Sequence, residues 1–113
     1  MHTPIQPARI VDQPTPGFFK MRLVRRGPWV PAAITYSVFG LWQATIDGEI
    51  FAADADPVFA DGVLRVWHSG RFIDEAEYAH MLAVKAWAGT TMPDHPAAQP
   101  RKAMDISKLR PLF

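Results

Sequence analysis

Between Phe72 and Gly89 the apolar residues recur at the spacing of a helix. Tyr78, Met81 and Leu82, with Lys85 or Ala86, line one face, and Val84, Trp87 and Ala88 widen it. Asp74 is placed to cap the helix, since its carboxylate can accept from the unpaired amides of the first turn. Glu77 follows at capping-box spacing, and Ile73 and Tyr78 stand as a hydrophobic staple. Asp74, Glu75 and Glu77 put negative charge at the positive end of the helix dipole. Gly89 is expected to stop the helix, and Pro93 keeps it from resuming. The polar face is thin, so the helix is expected to be covered by the chain's own tail or by a partner.

Upstream, the period shortens to two. Phe19, Met21 and Leu23 alternate with Lys20 and Arg22 in a first strand. Arg25-Arg26-Gly27-Pro28 reads as a turn. A second strand is expected from Trp29 to Phe39, with Pro31 at an edge or bulge because it has no amide to donate. Trp42–Ile46 and the residues from Glu49 flank Asp47-Gly48, a strong hairpin signal. Asp54 to Pro57 reads as a loop, and after Asp61-Gly62 the run Val63–His68 reads as a further strand. The fold class that follows is α+β: a curled antiparallel sheet of four or five strands in a meander, with one C-terminal helix packed on it. A small SH3-like barrel with a capping helix is the alternative.

A chain of 113 residues fits one domain. Residues 1–16 read as an extended proline-rich arm, 17–90 as the domain, and 91–113 as a proline-rich, partly basic tail. The tail's Met104, Ile106, Leu109, Leu112 and Phe113 suggest that it wraps the domain or a partner. There is no cysteine, hence no disulfide framework or thiolate site. No apolar run reaches the length of a membrane span, and the start lacks the pattern of a secretory signal. A cytoplasmic location is expected from these features.

Net charge is +1, but it is unevenly spread. Residues 1–26 carry five basic and one acidic side chain, residues 27–100 three and nine, and residues 101–113 four and one. The basic arms either lie on the acidic body or serve a separate contact surface.

Recognisable catalytic chemistry is not visible. His2, His68, His80 and His95 are not at metal-ligand spacing. Asp54, Asp56 and Asp61 are spaced somewhat like the acids of a calcium loop, but Phe59 and Arg65 stand where it needs glycine and an acid. The glycines do not form a phosphate-binding loop, and no serine sits in a nucleophile elbow. No catalytic, cofactor-binding or metal-binding residue is assigned, and a non-enzymatic role is expected.

Lys20, Arg22, Arg25, Arg26 and Trp29 are the candidate binding residues. Lys20 and Arg22 share a strand face, the two arginines follow on the turn, and Trp29 supplies a ring on which a base can stack. The plain alternative is a solvated strand face with Trp29 at the edge of the core. The four tryptophans and seven phenylalanines are a second signal: most belong in a core, and any left outside would form a protein-binding patch.

Three blocks carry a resemblance: Gly17–Pro31 (GFFKMRLVRRGPWVP), Phe72–Tyr78 (FIDEAEY) and Pro100–Phe113 (PRKAMDISKLRPLF). In the same order they resemble small proteins encoded by phages and prophages of proteobacteria. The stretch from Tyr36 to Phe59 has no counterpart in that pattern. The resemblance implies an accessory protein that acts by binding, in some cases against host defences such as CRISPR effectors. The leading expectation is therefore a phage-type accessory protein with a protein partner, working in the host cytoplasm. Nucleic-acid binding through the basic strand and turn is the alternative, nothing points to a membrane, and a homodimer closed by the apolar helix stays open.

Overall fold

A computed structural model describes residues 13–103. Five strands form one antiparallel sheet in the order β4-β3-β2-β1-β5. They are β1 (Gly17–Arg22), β2 (Trp29–Tyr36), β3 (Trp42–Ile46), β4 (Glu49–Ile50) and β5 (Arg71–Ile73). Helix α1 (Val63–Ser69) precedes β5, and α2 (Glu75–Thr91) follows it. The first four strands are the expected meander, and β5 then returns to pair with β1. The α+β class holds. The sheet stays open, with β4 and β5 on opposite edges, so the chain does not form the alternative barrel.

The core lies on one face of the sheet. Phe19 and Met21 of β1, Val30, Ala32 and Ile34 of β2, and Ala44 and Ile46 of β3 alternate inward and are buried. Val63, Val66 and Trp67 of α1 close over them. Phe19 packs at 4.6 Å between ring centroids on Phe72, and Trp67 meets both rings edge-on.

Helix α1 is a correction to the strand expected over Val63–His68. Val63, Val66 and Trp67 follow i, i+3, i+4, which puts all three on one helical face and into the core. Asp61-Gly62 is accordingly not a hairpin turn: Gly62, at φ 84°, is the N-cap of α1. Asp47-Gly48, with φ 54° and 85°, does turn β3 into β4.

Helix α2 covers the opposite face. Tyr78 stacks on Phe18 at 4.7 Å, and Lys20 and Pro31 lie on that same side. Asp74 caps α2 by accepting the Glu77 amide at 2.7 Å. The capping box is half formed, because the Glu77 carboxylate pairs with Lys20 instead. The helix runs through Gly89 to Thr91, so that glycine is not its stop. Of its residues Ala88 is buried, while Tyr78, Met81, Leu82 and Val84 are half-covered. The helix expected to organise the fold is thus a partial lid, and the short α1 seals the core.

Pro31 is in a central strand, not at an edge. Its carbonyl accepts the Asp47 amide at 2.7 Å, and the amide it lacks would point to the same side. The paired register of β2 and β3 begins one residue later, at Ala32 and Ile46, so the missing donor falls at the end of that ladder. Beyond α2 the chain folds back: His95 meets Trp87 edge-on, and the Pro100 carbonyl lies beside Gly27. Most of the proline-rich arm and the tail's residues 104–113 lie outside the described residues.

Candidate functional site

Two surfaces stand out, on opposite sides in character. The first gathers around Trp29. Antiparallel pairing sets Arg22 opposite Trp29 and sets Lys20 opposite both Pro31 and Arg71, so these side chains share the α2 face of the sheet. Arg22 lies over the Trp29 ring, its Cζ 4.2 Å from the centroid. The Lys20 Nζ and Arg71 Cζ are each 5.4 Å from the same centroid. Each such contact is worth about 0.5–1 kcal/mol on an exposed surface. Lys20 also pairs with Glu77 at 3.2 Å. Arg22 and Arg71 are exposed, and neither has an ion-pair partner among the described residues.

The structure thus brings Lys20, Arg22 and Trp29 together as the alternation suggests. It adds Arg71, which the sequence gives no reason to include, because the pairing of β5 with β1 is a non-local contact. Arg25 and Arg26 are exposed on the turn after β1, and Arg26 takes φ 61°. Among the described residues, the cations over the Trp29 ring come from the strands and not from that turn.

Beside this cluster a cleft of about 230 Å³ opens between α2 and β2, lined by Trp29, Pro31, Met81, Val84 and Ala97. Asp47, Lys85 and His80 supply its polar rim. Lys85 approaches Asp47 to 3.4 Å. Burial nonetheless pushes the Asp47 carboxyl above its ordinary pKa, outweighing the attraction and hydrogen bond of Lys85 and the more distant attraction of Arg101. Burial likewise raises the Tyr78 hydroxyl.

The second surface is apolar and acidic. Among the described residues ten large hydrophobic side chains are exposed, and seven of them fall between Tyr36 and Phe59. Val38 is 96% exposed and Phe39 85%, at the tip of the β2–β3 turn. That tip is built to hold its shape. The Ser37 hydroxyl oxygen accepts the amides of Phe39 and Leu41, and the Ser37 backbone bonds Gly40 and Leu41. Tyr36 packs on Trp42 at its base, with the rings tilted and 4.9 Å between centroids.

A bridge between Trp42 and Asp54 brings the next loop alongside. There Asp54 accepts the Asp56 amide and Asp56 accepts the Val58 amide, which presents Val58 and Phe59 outward. Residues 27–64 contain no lysine, arginine or histidine and five carboxylates, of which Asp54, Asp56 and Asp61 belong to this loop region, Glu49 to β4, and Asp47 to the cleft beside α2. Alternation in a strand reaching Phe39 sets Val38 on one face with Val30, Ala32, Ile34 and Tyr36, whereas in the structure Val38 stands in solvent. The missing signal is the Ser37 turn, which ends β2 at Tyr36.

Among the described residues no group of three metal-ligating side chains comes together, and no buried side-chain polar atom lacks a hydrogen bond. No described helix is long and apolar enough to cross a membrane. No family model, curated protein or solved structure matches the chain.

Proposed function

We propose that the protein is a non-enzymatic accessory protein that docks on another protein through the tip of the β2–β3 turn and the adjoining 54–61 loop. The carrying observation is a hydrogen-bonded turn that holds Val38 and Phe39 almost wholly in solvent. Folding gains nothing from exposing them. Burying one such side chain fully in a partner is worth about 1.5–3 kcal/mol. An exposed ion pair contributes about 0–1 kcal/mol, so for a protein partner the apolar tip outweighs the basic cluster as a source of affinity. The lack of any cation between Arg26 and Arg65 sets the partner's chemistry: an apolar socket rimmed by lysine or arginine. The blocks at Gly17–Pro31, Phe72–Tyr78 and Pro100–Phe113 support a phage-type accessory role, with a host defence effector as one class of target.

The test is capture from nuclease-treated host lysate by wild type and by Phe39→Ser with Phe59→Ser. A protein held by wild type and released by the double variant supports the reading. A protein held equally by both, or recovery that disappears with nuclease, counts against it.

A further inference from the structure

We infer that Trp29 and the cations around it form a site for single-stranded nucleic acid, separate from the protein-docking face. Lys20 and Arg22 of β1 and Arg71 of β5 converge on one ring within 5.4 Å, with Glu77 as the carboxylate that pairs with the group. Three cations held this close repel one another, and an arriving anion relieves that repulsion. Arg22 is held over Trp29 while its guanidinium edge keeps donors to offer, and a guanidinium takes a phosphate through two parallel bonds. Arg25 and Arg26 continue the positive track on the exposed turn.

The ring distinguishes nucleic acid from an acidic peptide. A carboxylate-rich chain would use the cations but has no flat face to set on the Arg22–Trp29 pair, whereas a base does. Position distinguishes a single strand from a duplex. Helix α2 rises from the same sheet face, with Glu77 within 3.2 Å of Lys20, so the cluster lies at the foot of a wall. A flexible strand can follow that step, and a stiff rod cannot lie flat on it.

The test is fluorescence anisotropy with labelled oligo-dT and oligo-U across a salt series, with the matching duplex and polyglutamate as competitors. Affinity for the single strands should fall with salt, with a logarithmic slope of about −0.7 per phosphate neutralised. Arg22→Ala with Arg71→Ala should weaken binding at least about tenfold and lower the slope by more than one. Phe39→Ser should leave it unchanged, which separates this site from the docking face. Glutamine in place of both alanines keeps the test valid if the alanine variant unfolds. Binding of either single strand supports the inference, since both present phosphodiesters and a pyrimidine base, and oligo-dU against oligo-U then isolates the 2′-hydroxyl that separates DNA from RNA. Affinity indifferent to the two arginines, a flat salt dependence, or equal competition by duplex or polyglutamate would overturn the inference.

Discussion

The Ser37 hydroxyl oxygen accepts the Phe39 amide at 3.2 Å, while the Phe39 side chain stands in solvent. Backbone and ring therefore have separable roles. Ser37→Ala removes an acceptor from two amides and should cost about 0.5–1.5 kcal/mol. Phe39→Ser should stay within about 0.5 kcal/mol of wild type. Phe19→Ala, which empties a fully buried position, should cost about 3–5 kcal/mol and sets the scale. Denaturant titration of the three variants checks this. A Phe39→Ser protein as weak as Phe19→Ala would make the ring structural.

Asp47 gives a pH-dependent prediction. Burial raises its pKa in the folded state, so the folded chain holds this proton more tightly than the unfolded chain does. The protonated carboxyl adds stability that is complete below the unfolded pKa and is lost as pH rises through the raised folded value. At neutral pH the ionised group is retained at a net cost despite Lys85. Asp47→Asn keeps a residue that tolerates φ 54° and removes that cost. The variant should be at least as stable as wild type at neutral pH, and its advantage should shrink in acid. Thermal melts of both proteins at the two pH values decide it; a variant weaker by more than about 1 kcal/mol at neutral pH would show the Lys85 attraction to dominate.

Two glycines should respond oppositely to alanine. Gly89 lies inside α2 with nothing within 4 Å of an added Cβ. Gly89→Ala should stabilise by about 0.5–1 kcal/mol, mainly by restricting the unfolded chain. At Gly70 a Cβ would stand 2.6 Å from the Val66 carbonyl oxygen and 3.2 Å from the Phe19 Cβ. Gly70→Ala should cost about 1–3 kcal/mol. Thermal melts of the two variants check both signs. Destabilisation at Gly89 would mean that the helix ends there, as its sequence suggests.

Local chemistry is legible in the sequence and non-local pairing is not. The Asp47-Gly48 turn and the Asp74 cap depend on residues a few positions apart, and both appear where their sequence places them. The same dipeptide at Asp61-Gly62 starts a helix, because Val63, Val66 and Trp67 can reach the sheet together only from a helical face. Seven residues with two valines do not distinguish the two periods alone. Lys20, Arg22 and Trp29 are readable as neighbours across one hairpin. Arg71 is not, since its place depends on β5 crossing to the far edge of β1. Val38 is hidden by an alternation that continues past the true strand end at Tyr36.

Docking through the β2–β3 tip is read out by the affinity of the purified captured protein for wild type and for Phe39→Ser with Phe59→Ser, at matched melting temperatures. If the tip is the contact, the double variant loses at least about tenfold in affinity, or roughly 1.4 kcal/mol, with folding unchanged. Equal affinity in a folded double variant would contradict it and place the partner's contact elsewhere on the molecule.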